Sequence, residues 1–276
     1  MSDELIYQAI LDARRDGRPA ALATVVRARG SVPRHATSKM LVFADGQMTG
    51  TVGGGELESL TIQASQQAIR DGQPRLEHYS LAGPRDDAVG VCGGEVEVFI
   101  EPILPPPTVL VLGCGHVGVA VARLAKWLGF HIVVSDDREE LCAPEHVPDA
   151  DLYLPGEIAA VLSHTPIDSR TYVVAVTRGY PHDVAAVPIL LESDAPYIGV
   201  IGSRRRWATA VKELKALGID DEQLQRVRSP IGLHLGAETP EEIAVSIMAE
   251  IIMLRNRGAI EPAVNLSGAK EEASKV

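Results

Sequence analysis

Cysteine is scarce in this chain of 276 residues, and the motifs that bind zinc through cysteine or histidine are missing from its sequence. The three cysteines form no CxxC pair, which argues against a disulfide scaffold or a zinc ribbon. The eight histidines show no HxxxH or HxxEH spacing, so we expect no histidine-built metal site. So few cysteines are typical of a reducing compartment, and the sequence predicts a cytoplasmic protein.

Positive charge is also in short supply, since the formal net charge is −11. Binding to nucleic acids or to anionic membranes needs an excess of Lys and Arg, so neither partner is expected. The most apolar stretch, residues 108–125, is interrupted by three glycines, a histidine and an arginine, which favours a buried strand-turn-helix over a transmembrane span. The acidic start, Met1–Glu4, lacks the basic-then-apolar order of a secretory leader, so we expect none there.

Glycine, in contrast, is concentrated in two loops, and the first is the most informative feature of the chain. Residues 50–55 read Gly-Thr-Val-Gly-Gly-Gly and lead into a helix-compatible run at Glu56–Arg70. Consecutive glycines permit positive φ and let a ligand approach main-chain N–H groups. A helix N-terminus beyond them adds unpaired donors, so Gly53, Gly54 and Gly55 are candidates for binding an anion such as phosphate. The alternative is a tight strand-to-helix turn that binds nothing.

The second glycine-rich loop has the GxGxxG spacing and directly follows an apolar strand. Asp136 ends the next strand, about 20 residues further on, where an acid binds a ribose hydroxyl in dinucleotide-binding folds. The pattern predicts a Rossmann-type domain but leaves NAD(P) binding open, because the fold also occurs without that ligand. Asp136 suits a free 2′-hydroxyl, whereas Arg138 would tolerate a phosphate there. The candidates for cofactor binding are Gly113, Gly115, His116, Gly118 and Asp136.

Three further candidates lie outside these loops. Cys92 precedes Gly93-Gly94, and the two glycines leave its thiol open to a soft ligand such as molybdenum or to a sulfur-transfer contact. The alternative for Cys92 is a small buried hydrophobe. Arg34 ends a predicted turn, and its side chain either binds a phosphate or is exposed to solvent. Arg178 follows a predicted strand, at the edge where open α/β sheets bind ligands, or else belongs to a solvated loop.

The overall pattern is that of an α/β protein with two domains. Residues 1–104 read as an α+β domain, and residues 105–108 form a proline-rich linker. Strand and helix signals alternate over residues 109–258, which predicts a Rossmann-like doubly wound parallel sheet. Residues 259–276 are rich in small and charged residues, and we expect a flexible tail.

Local patterns predict individual elements within the two domains. Asp45-Gly46 lies between two strand-like runs and predicts a hairpin with a two-residue type I′ turn. Thr239, Pro240 and Glu242 predict a capped helix N-terminus. An apolar stripe at helical spacing near the start of the chain comprises Leu5, Ile6, Ala9, Ile10 and Ala13.

Taken together, these motifs resemble the XdhC/CoxI family, accessory proteins for molybdenum hydroxylases such as xanthine dehydrogenase. At one position the chain departs from the family, which usually has glycine where this chain has Thr37. The matching stretches run through nearly the whole chain and comprise residues 30–34, 39–42, 50–58, 92–102, 113–128, 136–138, 177–183, 197–205 and 230–250.

The resemblance implies a family-specific N-terminal domain, a C-terminal Rossmann domain and a chaperone of the molybdenum cofactor, molybdopterin, rather than an enzyme with catalytic residues. It implies that the protein protects the cofactor, supports its sulfuration by a cysteine desulfurase and delivers it to the hydroxylase apoenzyme. Cys92 would contact the metal or its incoming sulfur. Gly53, Gly54 and Gly55 with Arg34 would hold the pterin phosphate. A homodimer is compatible with this role.

The alternative function is that of an NAD(P)-dependent oxidoreductase. It rests on the GxGxxG loop and Asp136. Against it, Tyr172, Tyr180 and Tyr197 all lack the lysine of a Tyr-xxx-Lys pair.

Overall fold

The computed structural model describes residues 3–30, 36–80, 94–158, 161 and 167–258. The chain divides into two compact units, residues 1–105 and 106–276. The α/β fold expected from the sequence is confirmed, because one unit contains an antiparallel sheet with helices and the other a parallel sheet with helices.

The N-terminal unit contains one sheet and two helices. Its strands follow the order β3-β2-β1-β5-β4, and every neighbouring pair is antiparallel. The elements are α1 (Asp3–Arg15), β1 (Ala20–Arg29), β2 (Lys39–Phe43), β3 (Met48–Gly50), α2 (Gly55–Asp71), β4 (Arg75–Ser80) and β5 (Glu95–Ile103).

The two helices pack on opposite faces of this sheet. Successive side chains of a strand point to opposite faces, and β2 shows the consequence. Met40 and Val42 belong to the apolar cluster that includes Leu57 of α2. Leu41 and Phe43 belong to the cluster that α1 covers. Buried residues on both faces make β2 a central strand of the unit's core.

The apolar stripe predicted for α1 is wrong at one position. Ile6 and Ala13 are buried, and Ala9 and Ile10 pack against the same cluster, whereas 54% of Leu5 is exposed. A helix that packs on one sheet buries residues spaced three and four apart. Ile6, Ala9, Ile10 and Ala13 follow this spacing, so Leu5 lies at the edge of the buried face.

The hairpin predicted at Asp45-Gly46 is present, but the two-residue type I′ turn is wrong. The Gly46 amide donates to the Phe43 carbonyl over 2.9 Å, and the Phe43 amide donates to the Gln47 carbonyl over 2.8 Å. Gly46 has a φ of 83°, whereas Asp45 does not have positive φ, and a type I′ turn needs positive φ at both central residues. The connection is therefore a three-residue loop that a left-handed glycine closes.

Thr37 has a φ of 79°, and it is the one residue other than glycine with positive φ in the described part of the chain. We expect Thr37→Gly to raise the free energy of unfolding by about 1 kcal/mol, because the strain of a β-branched residue in this region exceeds the added flexibility of glycine. Urea denaturation measures the change. Thr37→Ala is the control, since it keeps a Cβ and should gain less. Equal stability of both variants would argue against strain at Thr37.

The C-terminal unit is built on a six-stranded parallel sheet with the order β11-β10-β9-β6-β7-β8. Numbered from β6, this is the strand order of the nucleotide-binding Rossmann fold, and its chain reversal lies between β6 and β9. The elements are β6 (Thr108–Leu112), α3 (His116–Trp127), β7 (His131–Ser135), β8 (Leu152–Tyr153), β9 (Thr171–Ala175), α4 (Tyr180–Leu191), β10 (Tyr197–Val200), α5 (Arg204–Ala216), α6 (Asp221–Leu224), β11 (Val227–Arg228) and α7 (Pro240–Arg257).

The predicted cap of the last helix is confirmed. The Thr239 hydroxyl accepts from the Glu242 amide, the Glu242 carboxylate accepts from the Thr239 amide, and Pro240 is the first residue of α7. This helix packs against α3 over one face of the sheet. Within the ranges that the structure describes, no helix combines the length and apolarity needed to cross a membrane. The tail predicted at residues 259–276 lies outside the described residues.

Candidate functional site

The candidate residues form one group in each unit. Gly53, Gly54 and Gly55 lie between β3 and α2. The remaining described candidates lie around the carboxyl ends of β6, β7 and β9 or at the start of α3. Arg34 and Cys92 lie outside the described residues.

The glycine loop of the N-terminal unit leaves the start of α2 open. Gly53, Gly54 and Gly55 have φ values of 147°, 83° and 61°, which favour glycine. Gly54 is the N-cap of α2, and among the described residues no side chain accepts a hydrogen bond there. A Cβ built on Gly54 or Gly55 would meet no atom of the described residues within 4 Å. The start of α2 thus lacks a side-chain cap among the described residues and has room beside two of its glycines, two features that an anion site at a helix N-terminus needs.

Hydrogen bonds within the chain fix the shape of this loop. The Gly53 amide donates to the Thr51 hydroxyl over 3.2 Å, and that hydroxyl donates to the Glu58 carboxylate. Glu58 is in the first turn of α2, where the helix dipole favours a negative charge. The carboxylate thus holds the loop through Thr51.

Glycine replaces the usual capping side chain at each helix that follows a candidate loop. Where a polar residue occupies the N-cap, its side chain satisfies one amide of the first turn. Such caps begin α5, α6 and α7, whereas α2, α3 and α4 begin without one. The polar caps are Ser203, Asp220 and Thr239, and the glycine caps are Gly54, Gly115 and Gly179.

The three glycines of the GxGxxG loop serve different purposes. Gly113 has a φ of 110°, and a Cβ there would lie 2.7 Å from the Val176 carbonyl oxygen. A Cβ on Gly118 would lie 1.9 Å from the Gly113 carbonyl oxygen, so this glycine lets α3 pack against β6. A Cβ on Gly115 would meet no atom of the described residues within 4 Å, and Gly115 has a φ of −74°. Gly115 is thus the glycine with free space in front of it.

A pocket lies at the carboxyl edge of the parallel sheet, beside the loops that follow β6, β7 and β9. This is the position at which open α/β sheets bind ligands. His116 does not line this pocket; it lines a separate groove between α3 and α7. The pocket walls include Gly113, Asp136, Arg138, Gly156, Thr177 and Arg178.

The Asp136 carboxylate is saturated by hydrogen bonds from its own chain. Oδ2 accepts from the Cys114 amide over 2.7 Å and from Arg138 Nη2 over 2.8 Å. Oδ1 accepts from the Arg138 amide over 3.0 Å and from Arg138 Nε over 2.8 Å. Burial disfavours the charge, but these hydrogen bonds outweigh it and lower the pKa of Asp136 to about 2. The acid thus ties the glycine loop to the end of β7.

Because the folded chain lowers the pKa of Asp136, this carboxyl group stabilises the fold above the pKa of an unfolded aspartate. The contribution is lost as pH falls through about 4 toward 2. We expect the stability difference between the parent and Asp136→Asn to shrink by about 2 kcal/mol from pH 5 to pH 2. Urea denaturation across this range measures it, and Asp137→Asn serves as the matched control. A constant difference would contradict the saturated carboxylate.

Arg178 joins the loops that follow β9 and β7, the two strands flanking β6. Arg178 Nη2 donates to Asp137 Oδ2 over 2.5 Å, and its Nε donates to His182 Nε2 over 3.1 Å. Half of the Arg178 side chain is exposed. The guanidinium is therefore available at the pocket wall while Asp137 orients it.

Sequence reasoning missed a buried ion pair beside this pocket. Arg206 donates from Nε and Nη2 to the Asp183 carboxylate over 2.7–3.0 Å, and from Nη2 to the Thr177 hydroxyl over 2.8 Å. In the sequence Arg206 is the last of three consecutive arginines. The structure distinguishes it, because Arg206 is half-buried whereas Arg204 and Arg205 are exposed. This pair connects the N-termini of α4 and α5.

A metal site is not visible among the described side chains. Within these ranges no three His, Cys, Asp or Glu residues are grouped so that they could hold a metal ion. Cys92, the residue proposed from the sequence for metal contact, is outside these ranges.

Comparison with known proteins gives matches along both units. The XdhC Rossmann domain family matches residues 109–251, and the XdhC and CoxI family matches residues 13–80. A crystal structure of a xanthine dehydrogenase from Bacillus halodurans aligns with 97% of this chain and 99% of its own, with a TM-score of 0.51 and 23% identity. That likeness supports the fold.

Three relatives are similar in sequence. The uncharacterized protein YqeB of Escherichia coli (strain K12) is 38% identical over 240 residues, covering 86% of this chain and 44% of YqeB. A probable xanthine dehydrogenase subunit of Bacillus subtilis (strain 168) is 35% identical over 163 residues, covering 59% of this chain and 47% of that protein. This chain thus spans less than half the length of these two proteins. The molybdenum cofactor insertion chaperone PaoD of Escherichia coli (strain K12) is 23% identical over 279 residues, covering 91% of this chain and 88% of PaoD.

Proposed function

Because the chain belongs to the XdhC and CoxI family, we propose that it is a chaperone of the molybdenum cofactor. In this proposal it binds the cofactor, protects it, supports its sulfuration and delivers it to a molybdenum hydroxylase such as xanthine dehydrogenase. The observation that carries the proposal is the similarity to PaoD, which covers most of both chains. The similarity to the probable xanthine dehydrogenase subunit of Bacillus subtilis supports the choice of client.

The open start of α2 supports a role for the N-terminal unit in holding the cofactor's phosphate. No described side chain caps this helix, and a Cβ on Gly54 or Gly55 would meet no described atom within 4 Å. Backbone donors at a helix N-terminus bind phosphate well because the dipole adds to the hydrogen bonds. We assign Gly53, Gly54 and Gly55, with Arg34, to the phosphate.

Cys92 is the proposed contact for the metal or for the sulfur delivered to it. A thiolate is a soft ligand and suits molybdenum or a sulfur-transfer step. The proposed partners are the apo-hydroxylase and a cysteine desulfurase, and the proposed role is that of an accessory factor. No residue is assigned to catalysis.

The alternative, an NAD(P)-dependent oxidoreductase, is supported by the strand order and the GxGxxG loop, and Gly113, Asp136 and Arg178 line the pocket at the carboxyl edge of the sheet. One observation weakens it. The Asp136 carboxylate, which would bind the ribose, already accepts four hydrogen bonds from Cys114 and Arg138. A ribose hydroxyl would have to displace part of this network.

The test is retention of isolated cofactor by the purified protein under anaerobic conditions, with NAD and NADP titrated in parallel. We expect molybdenum and pterin to elute with the protein after gel filtration. Cys92→Ala should lower retention or the maturation of an added apo-hydroxylase. Tight nicotinamide binding without pterin retention would contradict the chaperone proposal and favour the NAD(P)-dependent oxidoreductase.

A charge at Gly55 tests the phosphate site directly. Gly55→Asp should weaken cofactor retention at least about ten-fold relative to Gly55→Asn, because a like charge beside the phosphate costs more than about 1.4 kcal/mol. Asn and Asp have the same size and both tolerate positive φ, so the pair differs mainly in charge. Thermal denaturation should show both variants folded. Equal cofactor retention by the two variants would contradict a phosphate site in this loop.

A further inference from the structure

A second pocket of the C-terminal unit, here called the β10 pocket, lies at the carboxyl end of β10. It is formed by the loop between β10 and α5, the start of α5 and the loop that precedes α7. Its volume is about 640 Å³, a size typical of sites for small organic molecules. Among the described residues it shares no lining residue with the pocket beside Asp136 and Arg178. The β10 pocket is therefore a separate place at the edge where open α/β sheets bind ligands.

Contacts with β10 and α7 fix the loop that precedes α7. The Gly232 amide and the Tyr197 hydroxyl both donate to the Glu250 carboxylate, over 2.9 Å and 2.5 Å. The Ser246 hydroxyl donates to the Leu233 carbonyl, and a Cβ on Gly232 would lie 2.4 Å from Ser246 Oγ. Glu250 is 5% exposed and lies behind the loop, outside the pocket lining. This wall of the pocket is preformed, so a ligand does not have to order it on binding.

The charge of the β10 pocket is opposite to that of the whole chain. The chain carries a formal net charge of −11, yet none of the described lining residues is an acid. Two basic residues, Arg204 and His234, line the pocket, and both are exposed. No acid in the described part of the chain forms an ion pair with Arg204. The pocket therefore favours an anionic ligand.

The polar and apolar lining residues indicate the class of anion. The Ser203 hydroxyl accepts from the Arg206 amide over 3.2 Å and can still donate its own proton. Ser203, Arg204 and His234 thus offer three donor groups, which match the three terminal oxygens of a phosphate monoester better than the two of a carboxylate. Apolar side chains supply much of the remaining wall, and one of them, Leu235, is 57% exposed. An apolar body joined to the phosphate would cover that surface.

We propose that the β10 pocket binds a phosphate monoester with an apolar body. The phosphate contacts Arg204, Ser203 and His234, and the apolar body packs against Leu235. The site uses none of the residues that the proposed function assigns to the molybdenum cofactor, and no molybdenum is needed to test it.

The test is isothermal titration of the purified full chain with naphthyl phosphate. Inorganic phosphate, naphthol and naphthoate are titrated in parallel. We expect naphthyl phosphate to bind at least about ten-fold more tightly than each of these three, because each lacks part of what the pocket contacts. Equal affinity for inorganic phosphate would overturn the apolar body, and equal affinity for naphthoate would overturn the phosphate. No binding of naphthyl phosphate at millimolar concentration would overturn the site.

Two neighbouring arginines locate the bound phosphate. Arg204→Gln should weaken naphthyl phosphate binding at least about ten-fold, because it removes a charged hydrogen-bond donor. Arg205→Gln is the matched control, since Arg205 is also exposed but does not line the pocket, and it should leave the dissociation constant nearly unchanged. Equal weakening by both variants, or unchanged binding in Arg204→Gln, would overturn the assignment of the phosphate to this pocket.

A pair of exposed leucines tests the apolar contact. Leu235→Asn should weaken naphthyl phosphate about five-fold and leave inorganic phosphate unchanged, because it removes apolar contact area alone. Leu217→Asn is its control, since Leu217 is 64% exposed at the end of α5 and does not line the pocket. Thermal denaturation should show both variants folded. An equal effect of the two substitutions, or none at Leu235, would overturn the position of the apolar body.

Discussion

Gly118→Ala is expected to lower the free energy of unfolding of the C-terminal unit by about 3 kcal/mol or more. The added Cβ would lie 1.9 Å from the Gly113 carbonyl oxygen and 3.3 Å from Val111 Cγ1. Neither neighbour is the end of a flexible side chain, so α3 must move away from β6. Urea denaturation, followed by the signal of the C-terminal unit, measures the loss.

Gly115→Ala is the matched control for this substitution. Gly115 belongs to the same loop, but its φ of −74° suits alanine, and a Cβ there would meet no atom within 4 Å in the part of the chain that the structure describes. We expect its stability to stay within about 0.5 kcal/mol of the parent. If both substitutions cost the same, the close approach of α3 to β6 is not the reason that Gly118 is glycine.

Asp183→Ala is expected to cost about 3–5 kcal/mol, because it leaves the guanidinium of Arg206 without its buried partner. The Asp183 side chain is 1% exposed and that of Arg206 is 22% exposed. Both side chains lose hydration on folding, and their hydrogen bonds to each other and to Thr177 offset that loss. The loss should appear in urea denaturation and in the melting temperature of the C-terminal unit.

A double-mutant cycle separates the pair from its surroundings. Asp183→Leu alone and Arg206→Met alone should each be costly, whereas the double variant with both substitutions should cost less than the sum of the two, with a coupling of about 2 kcal/mol or more. The pair Lys215–Asp221 is the control. Its side chains are 46% and 79% exposed, and Lys215→Ala should change stability by less than about 0.5 kcal/mol. Additive effects at Asp183 and Arg206 would contradict the proposed coupling.

Features that depend on neighbouring residues in the chain were predictable. The cap at Thr239 requires an acid three residues later, and the sequence shows both. The strand before Gly113 and the helix after it follow from the GxGxxG spacing. The hairpin at Gly46 was also visible, but its turn type depends on the φ of Asp45, which the Asp-Gly pair leaves undetermined.

Features that depend on distant contacts were not predictable. The partner of Arg206 lies 23 residues away in another helix, and nothing in a run of three arginines distinguishes the last one. Two polar residues, Thr61 and Ser65, lie on the buried face of α2, where apolar periodicity gives no signal. The hydrogen bonds of Asp136 were missed because the same acid, in the same place, usually binds a ribose.

The four hydrogen bonds of the Asp136 carboxylate limit which ligands can bind in the pocket at the carboxyl edge of the sheet. A molecule that needs this carboxylate binds only those copies of the protein in which Arg138 has moved away. Its observed dissociation constant is the intrinsic value divided by the open fraction, so an open population of about one in 100 weakens binding about 100-fold. A ribose alone brings nothing to replace the guanidinium's lost partner, whereas a ligand with its own phosphate does. We therefore expect this pocket to favour ligands that carry an anion for Arg138 over ribosides without one.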